Sequence, residues 1–95
     1  MTERQRYLHE SHLRHVGEVA DEIEAAGYEL VRLAEWSNGQ PHTEFRRPGP
    51  PSDYFLIFGH ARIELYRRGR KVDGARIANY RRSSFERLLA KAVAE

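Results

Sequence analysis

Apolar residues recur at intervals of three and four along the first part of the chain, which is the spacing of one face of an α-helix. Charged side chains such as Glu10, Arg14 and Glu18 fall on the opposite face. Gly27 follows directly and can adopt the left-handed conformation that ends many helices. The pattern predicts a helix over 3–26, with an apolar face made of Leu8, His12, Val16, Val19, Ala20, Ile23 and Ala26.

The middle of the chain changes to the two-residue alternation of β-strands. Within 61–67, for example, Ile63 and Leu65 alternate with Arg62, Glu64 and Tyr66. Residues 72–74 fit either a further short strand or a loop. The pattern predicts three or four strands, at 28–36, at 54–58, at 61–67 and, as a short candidate, at 42–46.

Turn-forming residues separate these strands. Asn38-Gly39 is the strongest dipeptide signal for a hairpin. The segment 47–53 contains three prolines, which remove hydrogen-bond donors and fix φ, so it is predicted to be a stiff surface loop. Short turns between consecutive strands favour an antiparallel sheet.

A second helix is predicted at the end of the chain. Ser83 and Glu86 have the spacing of a capping box, in which Ser83 would be the N-cap. The fold class that follows is α+β: an N-terminal helix, an antiparallel sheet of three to four strands and a C-terminal helix, with the helices packed on one face of the sheet. We expect a single domain over 1–95. The predicted core face of the second helix consists of Phe85, Leu88, Leu89, Ala92 and Val93.

The charge is divided unevenly between the two halves of the chain. Residues 1–45 contain four basic and nine acidic residues, whereas 46–95 contain twelve basic and five acidic residues. Such asymmetry suggests an anionic partner, although a genome rich in arginine codons would also enrich arginine. The absence of cysteine excludes disulfides and thiolate metal sites, and no leader or membrane-spanning stretch is recognisable. We therefore expect a cytoplasmic protein with no membrane association.

The basic residues concentrate near the predicted hairpin after 61–67 and before the last helix. Clustered arginine with nearby tyrosine suits phosphate neutralisation combined with base stacking. The alternatives are a solvated turn or pairing with the acidic N-terminal helix. We expect neutralisation of the hairpin tip to leave the fold intact. The candidate binding residues are Tyr66, Arg67, Arg68, Arg70, Lys71, Arg76, Tyr80, Arg81 and Arg82.

The order helix, three strands, helix is similar to that of double-stranded RNA-binding domains. The segment 39–45, Gly-Gln-Pro-His-Thr-Glu-Phe, resembles the glycine-proline-histidine loop that such domains place between their first two strands. Arg81-Arg82 would stand where the family carries a lysine pair. The chain departs from the family in the shorter spacing from His42 to Phe45, the proline-rich interruption of the second strand and the missing lysine motif. The chain is not assigned to the family on these residues.

The residues offer no pattern typical of catalysis or of a cofactor site. His9, His12 and His15 lie at intervals of three on the predicted helix, but they diverge around it and no HExxH motif accompanies them. His12 is instead predicted to be a partly buried polar residue. We expect no enzyme activity, no metal and no cofactor.

The sequence favours a small non-catalytic module that uses its arginine-rich face to bind an anionic partner, and the expected partner is nucleic acid, DNA or RNA. The alternative is a protein-interaction module, such as an inhibitor or adaptor, that binds an acidic protein surface. Self-association into a homo-oligomer, acidic helix against basic hairpin, is a variant of that alternative.

Overall fold

The computed structural model describes residues 1–49, 52–77 and 82–93. Two helices flank a single five-stranded antiparallel sheet in which each strand pairs with its neighbour in sequence. The α+β class is confirmed, but the sheet has five strands instead of three to four. The three-strand topology of double-stranded RNA-binding domains is therefore not found. The elements are α1 (Glu3–Ala25), β1 (Glu29–Ser37), β2 (Gln40–Arg46), β3 (Tyr54–Phe58), β4 (Arg62–Arg67), β5 (Arg70–Arg76) and α2 (Arg82–Val93).

Helix α1 is defined at both ends by local hydrogen bonding and backbone conformation. Thr2 and Gln5 form a capping box, in which each side chain accepts a hydrogen bond from the backbone N–H of the other residue. Gly27 adopts a φ of 98° just beyond the helix, as the sequence predicts. Of the predicted apolar face, Val16, Val19 and Ile23 are buried in the core.

The additional strand is β5, which the sequence left open between a strand and a loop. It is joined to β4 by a two-residue turn in which Arg68 and Gly69 have φ values of 55° and 76°. The Asn38-Gly39 turn has the same left-handed pair, with φ values of 53° and 77°. Both turns have the handedness that suits tight hairpins. Asn38 makes the first turn recognisable in the sequence, because asparagine often adopts a positive φ. Arginine rarely does, so Arg68 does not mark the second turn.

Both helices pack on the same face of the sheet. The strand residues that meet them, such as Phe45, Phe55, Ile63 and Leu65, are at most 1% exposed. They alternate with residues that point to the other face, because successive side chains of a strand project to opposite sides. We refer to the face of the sheet opposite the helices as the open face, because no element in the described part of the chain covers it.

Strand β1 departs from regular alternation. Its pairing with β2 shifts register twice, and Ala34 adopts a φ of 50°. Leu30, Val31 and Leu33 are about half exposed along this edge strand, so the two-sided alternation predicted for 28–36 is interrupted.

Helix α2 begins one residue earlier than predicted and buries most of the predicted face, with Leu89 partly buried. It begins at Arg82, which places Ser83 in its first turn and not at the N-cap. Phe85, Leu88 and Ala92 are buried, as predicted, but Val93 is 58% exposed. Neither described helix is long and apolar enough to cross a membrane.

Candidate functional site

The open face carries three rows of side chains, each running across the strands. The register fixes them, because residues directly opposite each other on neighbouring strands project to the same side. The central row contains Arg32, Glu44, Leu56, Glu64 and Gly74. One flanking row contains Glu35, His42, Phe58, Arg62 and Arg76, and the other contains Glu29, Arg46, Tyr54, Tyr66 and Lys71.

Two buried carboxylates organise the cations of the open face. Glu44 is 7% exposed and accepts hydrogen bonds from Arg32 at 2.8 Å and from Arg46 at 3.0 Å. Glu64 is 6% exposed and pairs with Arg62 at 3.0 Å and with Lys71 at 2.8 Å. Each carboxylate therefore holds two cations, whose side chains remain 42–53% exposed.

The ionisation of Glu64 is favoured by these contacts. Burial by itself raises the pKa of a carboxyl group, but hydrogen bonds from Lys71, Tyr66 and Arg62 outweigh it and hold the pKa of Glu64 below its ordinary value. The Tyr66 hydroxyl donates to Glu64 Oε1 at 2.7 Å, and this bond, with burial, raises the pKa of Tyr66. Glu64 is thus charged at neutral pH and keeps its cations in fixed positions.

Aromatic rings stand between the cations. Tyr54 and Tyr66 stack with their ring centroids 5.0 Å apart and their planes 6° from parallel. The Arg46 guanidinium lies over the other side of Tyr54, 4.6 Å from the ring centroid, and Arg62 lies 5.8 Å from the centroid of Phe58. Arginine positioned over a ring gains a cation–π attraction and retains outward donors.

Of the residues predicted from sequence, the structure brings Tyr66, Lys71 and Arg76 together on the open face. Arg68 and Arg70 lie exposed at the β4–β5 hairpin tip. Arg82 lies at the start of α2, where it pairs with Glu22 of α1 and with Glu86. Tyr80 and Arg81 lie outside the described residues.

Arg67 projects to the helix side and takes part in the internal structure. It pairs with Asp53, whose side chain is fully buried, at 2.9 Å, and it donates to the Lys91 carbonyl at 3.4 Å. Arg47 donates to the Ala92 carbonyl at 2.8 Å, and the Tyr28 hydroxyl donates to the same oxygen at 3.3 Å. Cations near a helix C-terminus interact favourably with its dipole. Arg67 therefore belongs to the group of donors that bind the carbonyl groups at the end of α2, and not to the open face.

The candidate binding residues predicted from sequence did not include four members of the open face, namely Arg46, Tyr54, Phe58 and Arg62, although Arg46 and Arg62 were the next candidates. All five residues of 54–58 are apolar or aromatic, so alternation cannot show which of them point outward. The neighbouring strand β4 does show which residues point outward, because Arg62, Glu64 and Tyr66 alternate there with buried residues. Extending that alternation through the antiparallel pairing would have found Tyr54 and Phe58.

The acidic residues of α1 do not neutralise the basic surface. Among the described residues, Glu22 is the one α1 carboxylate that forms an ion pair, and its partner is Arg82. Glu10, Glu18, Asp21 and Glu24 are exposed on the helix side of the molecule. The described α1 carboxylates other than Glu22 therefore leave the cations of the open face to pair with carboxylates of the sheet itself, such as Glu44 and Glu64.

The histidines of α1 serve a buried hydrogen-bond network. His12 is fully buried, not partly buried, and its Nδ1–H donates to the Gly59 carbonyl at 2.8 Å. The Thr43 hydroxyl donates to His12 Nε2 at 2.7 Å and accepts from the Ala34 N–H at 2.9 Å. This arrangement satisfies a neutral imidazole and ties α1 to three parts of the sheet. In the described part of the chain, no cluster of three or more metal-ligating side chains is found.

We expect acid to weaken this network. Burial lowers the pKa of His12 from its ordinary 6.5, and nearby His9, His42 and His15 lower it further, although the bond to Gly59 opposes the shift. The unfolded chain therefore takes up a proton first as the pH falls below about 6.5, so the free energy of unfolding falls with it. Urea unfolding at about pH 7.5 and about pH 5 should show the loss. The His12→Gln variant should show a smaller difference between the two conditions, and an equal difference would contradict this origin.

Neither the models of known protein families nor the curated proteins and solved structures that were compared give a match to this chain.

Proposed function

We propose that the protein is a non-catalytic binding module that holds nucleic acid on the open face of its sheet. The observation that carries the proposal is the row arrangement, which presents Arg32, Arg46, Arg62, Lys71 and Arg76 on one surface that no described element covers. Phosphate groups of a nucleic acid are the regularly spaced anions that such a surface complements. Of the residues predicted from sequence, Tyr66, Lys71 and Arg76 belong to this surface.

The buried carboxylates support the proposal because they pre-organise the cations. A long side chain loses rotamer freedom when it binds, which costs about 0.5–1.5 kcal/mol for each immobilised chain. Glu44 and Glu64 already restrict four of these side chains through ion pairs of 2.8–3.0 Å. Arginine can keep one edge on a carboxylate and offer its remaining donors to phosphate.

The charge distribution also favours one orientation of approach. Helix α1 carries six carboxylates and three arginines, so its surface repels a polyanion and favours approach to the open face over approach to α1. Helix α2 adds the cations Arg82, Arg87 and Lys91 on the helix side. Complementary potentials of this kind accelerate association in a salt-dependent manner.

The test is the affinity for fluorescently labelled single-stranded DNA, single-stranded RNA and duplex DNA, measured by anisotropy over a range of salt concentrations. We expect binding at about 50 mM salt that weakens steeply as salt increases. The Arg46→Gln, Arg62→Gln double variant should flatten the log–log salt dependence by about 0.7–0.9 for each lost contact. Each carboxylate keeps a second cation in this variant, so the fold should be preserved.

The matched control is the Arg4→Gln, Arg6→Gln double variant, which removes the same charge from exposed positions of α1. It should retain the salt dependence of the parent. Absence of binding to all three probes at about 50 mM salt would overturn the proposal. The acidic protein surface considered as the alternative would then be the partner to test.

A further inference from the structure

A cleft at the β5 edge of the open face has the properties of a site for a single phosphoryl group. Its volume is about 250 Å³, and it is lined by Arg62, Lys71, Asp73, Gly74, Ala75 and Arg76. We infer that this cleft binds the phosphoryl group of an anionic ligand through Arg62, Lys71 and Arg76. The inference depends on the proposed function only for the source of this phosphoryl group, which would be the phosphodiester backbone of a nucleic acid.

The first argument is the placement of like charges. Arg62 and Arg76 stand directly opposite each other on β4 and β5. Like charges in this position destabilise a sheet, unless an anion lies between them. The Arg62 side chain has Glu64 as a partner, whereas the Arg76 side chain makes no hydrogen bond or ion pair with any described residue. An anion bound at this point would relieve the repulsion.

The second argument is Gly74, which lies within β5 between the cations. A glycine inside a strand weakens it and often marks the point where a ligand approaches the backbone closely. Gly74 does not have a positive φ, so its backbone conformation does not require glycine. A Cβ atom there would lie 3.4 Å from Glu64 Cγ, Ile63 O and Lys71 Cε, which is a tolerable contact. Neither backbone strain nor steric crowding therefore requires glycine at this position. Its lack of a side chain leaves the floor of the cleft open.

The third argument is that the carboxylates near the cleft are already engaged. Asp73 pairs with Lys91 at 2.9 Å and with Arg87 at 3.3 Å, both from α2, and accepts the Gly74 N–H at 2.8 Å. The hydrogen bond from Lys91, followed by that from Gly74, holds the pKa of Asp73 at about 2. Glu64 fixes Arg62 and Lys71 from below. The cleft thus keeps a net positive charge toward solvent.

The experiment is a titration of ¹⁵N-labelled protein with inorganic phosphate, followed by NMR, and a parallel titration with a short oligothymidylate. We expect phosphate to shift the backbone amides of Gly74 and Arg76 in a saturable manner. The Arg76→Gln variant should bind phosphate about tenfold more weakly, since it loses a charged hydrogen-bond donor. The matched control is Arg70→Gln on the same strand, which should bind as the parent does.

The Gly74→Ala variant tests the cleft in a way that a loss of stability cannot imitate. Its melting temperature should equal or exceed that of the parent, because alanine in a strand loses less conformational freedom on folding than glycine. Its affinity for phosphate should nevertheless fall several-fold, because the methyl group occupies the floor of the cleft. Unchanged phosphate affinity in both Gly74→Ala and Arg76→Gln would overturn the inference.

The two titrations separate this inference from the proposed function. Phosphate binding in the cleft without any oligothymidylate binding would support the cleft, assign it to a free or small-molecule phosphate, and overturn the nucleic-acid proposal. Oligothymidylate binding that Arg76→Gln leaves unaffected, in affinity and in salt dependence, would support the nucleic-acid proposal and overturn the cleft. Shifts of the same amides by both probes, with competition between them, would support both.

Discussion

Replacement of Arg67 by alanine should lower the free energy of unfolding by about 3–5 kcal/mol, the cost of leaving one partner of a buried ion pair without the other. Asp53 is fully buried and depends on Arg67 at 2.9 Å. Within the described part of the chain its other oxygen, Oδ1, has no hydrogen-bond partner. The substitution also removes a donor to the Lys91 carbonyl at the end of α2. Urea denaturation followed by circular dichroism measures the loss.

The neighbouring Arg68→Ala variant is the control, because Arg68 is exposed and makes no ion pair with a described residue. It should stay within about 0.5 kcal/mol of the parent. The Arg67→Gln, Asp53→Asn double variant removes both charges and should recover part of the loss. Equal stabilities of Arg67→Ala and Arg68→Ala would show that the Arg67–Asp53 ion pair does not contribute to the free energy of unfolding. The sequence predicts that neutralising the whole hairpin tip leaves the fold intact. Because Arg67 pairs with the buried Asp53, we no longer expect this for Arg67.

The second large effect is expected for Leu88→Ala, which should cost about 2–5 kcal/mol. Leu88 is fully buried between α2 and the sheet, so its truncation loses apolar contacts and leaves a cavity. Val93→Ala is the control from the same helix, and at 58% exposure it should change stability by less than about 0.5 kcal/mol. Thermal melts of the two variants check which face of α2 is buried, and equal melting temperatures would contradict the burial of Leu88.

The sequence predicted those elements whose apolar residues form a long regular pattern. The face of α1 and the buried positions of α2 were accessible in this way, since Phe85, Leu88 and Ala92 follow helical spacing and are buried. Strand β5 was not accessible, because an edge strand that contains Asp73-Gly74 and terminal arginines has few residues with strand preference. Its position is determined by pairing with β4, which is a tertiary interaction.

The sequence predicted a cationic surface but not all of the residues that form it. The clustering of arginine and tyrosine in the second half of the chain indicated a cationic surface, and Tyr66, Lys71 and Arg76 belong to the open face. The side on which Arg67 lies could not be predicted, because its partner Asp53 is 14 positions away, at the other end of the β3–β4 hairpin. Arg46 was similarly assigned to the end of a short candidate strand, although β3 places Tyr54 directly beside it.

The two edges of the sheet bear on how the protein behaves at high concentration. An exposed strand edge can recruit a strand of another molecule and begin aggregation unless something disturbs or charges it. The register shifts of β1 disturb one edge, which is needed because Leu30, Val31 and Leu33 are exposed there. At the other edge, Arg70, Lys71 and Arg76 provide the charge. The cations of β5 are therefore expected to oppose edge-to-edge association between molecules, and two of them, Lys71 and Arg76, also line the proposed phosphate cleft.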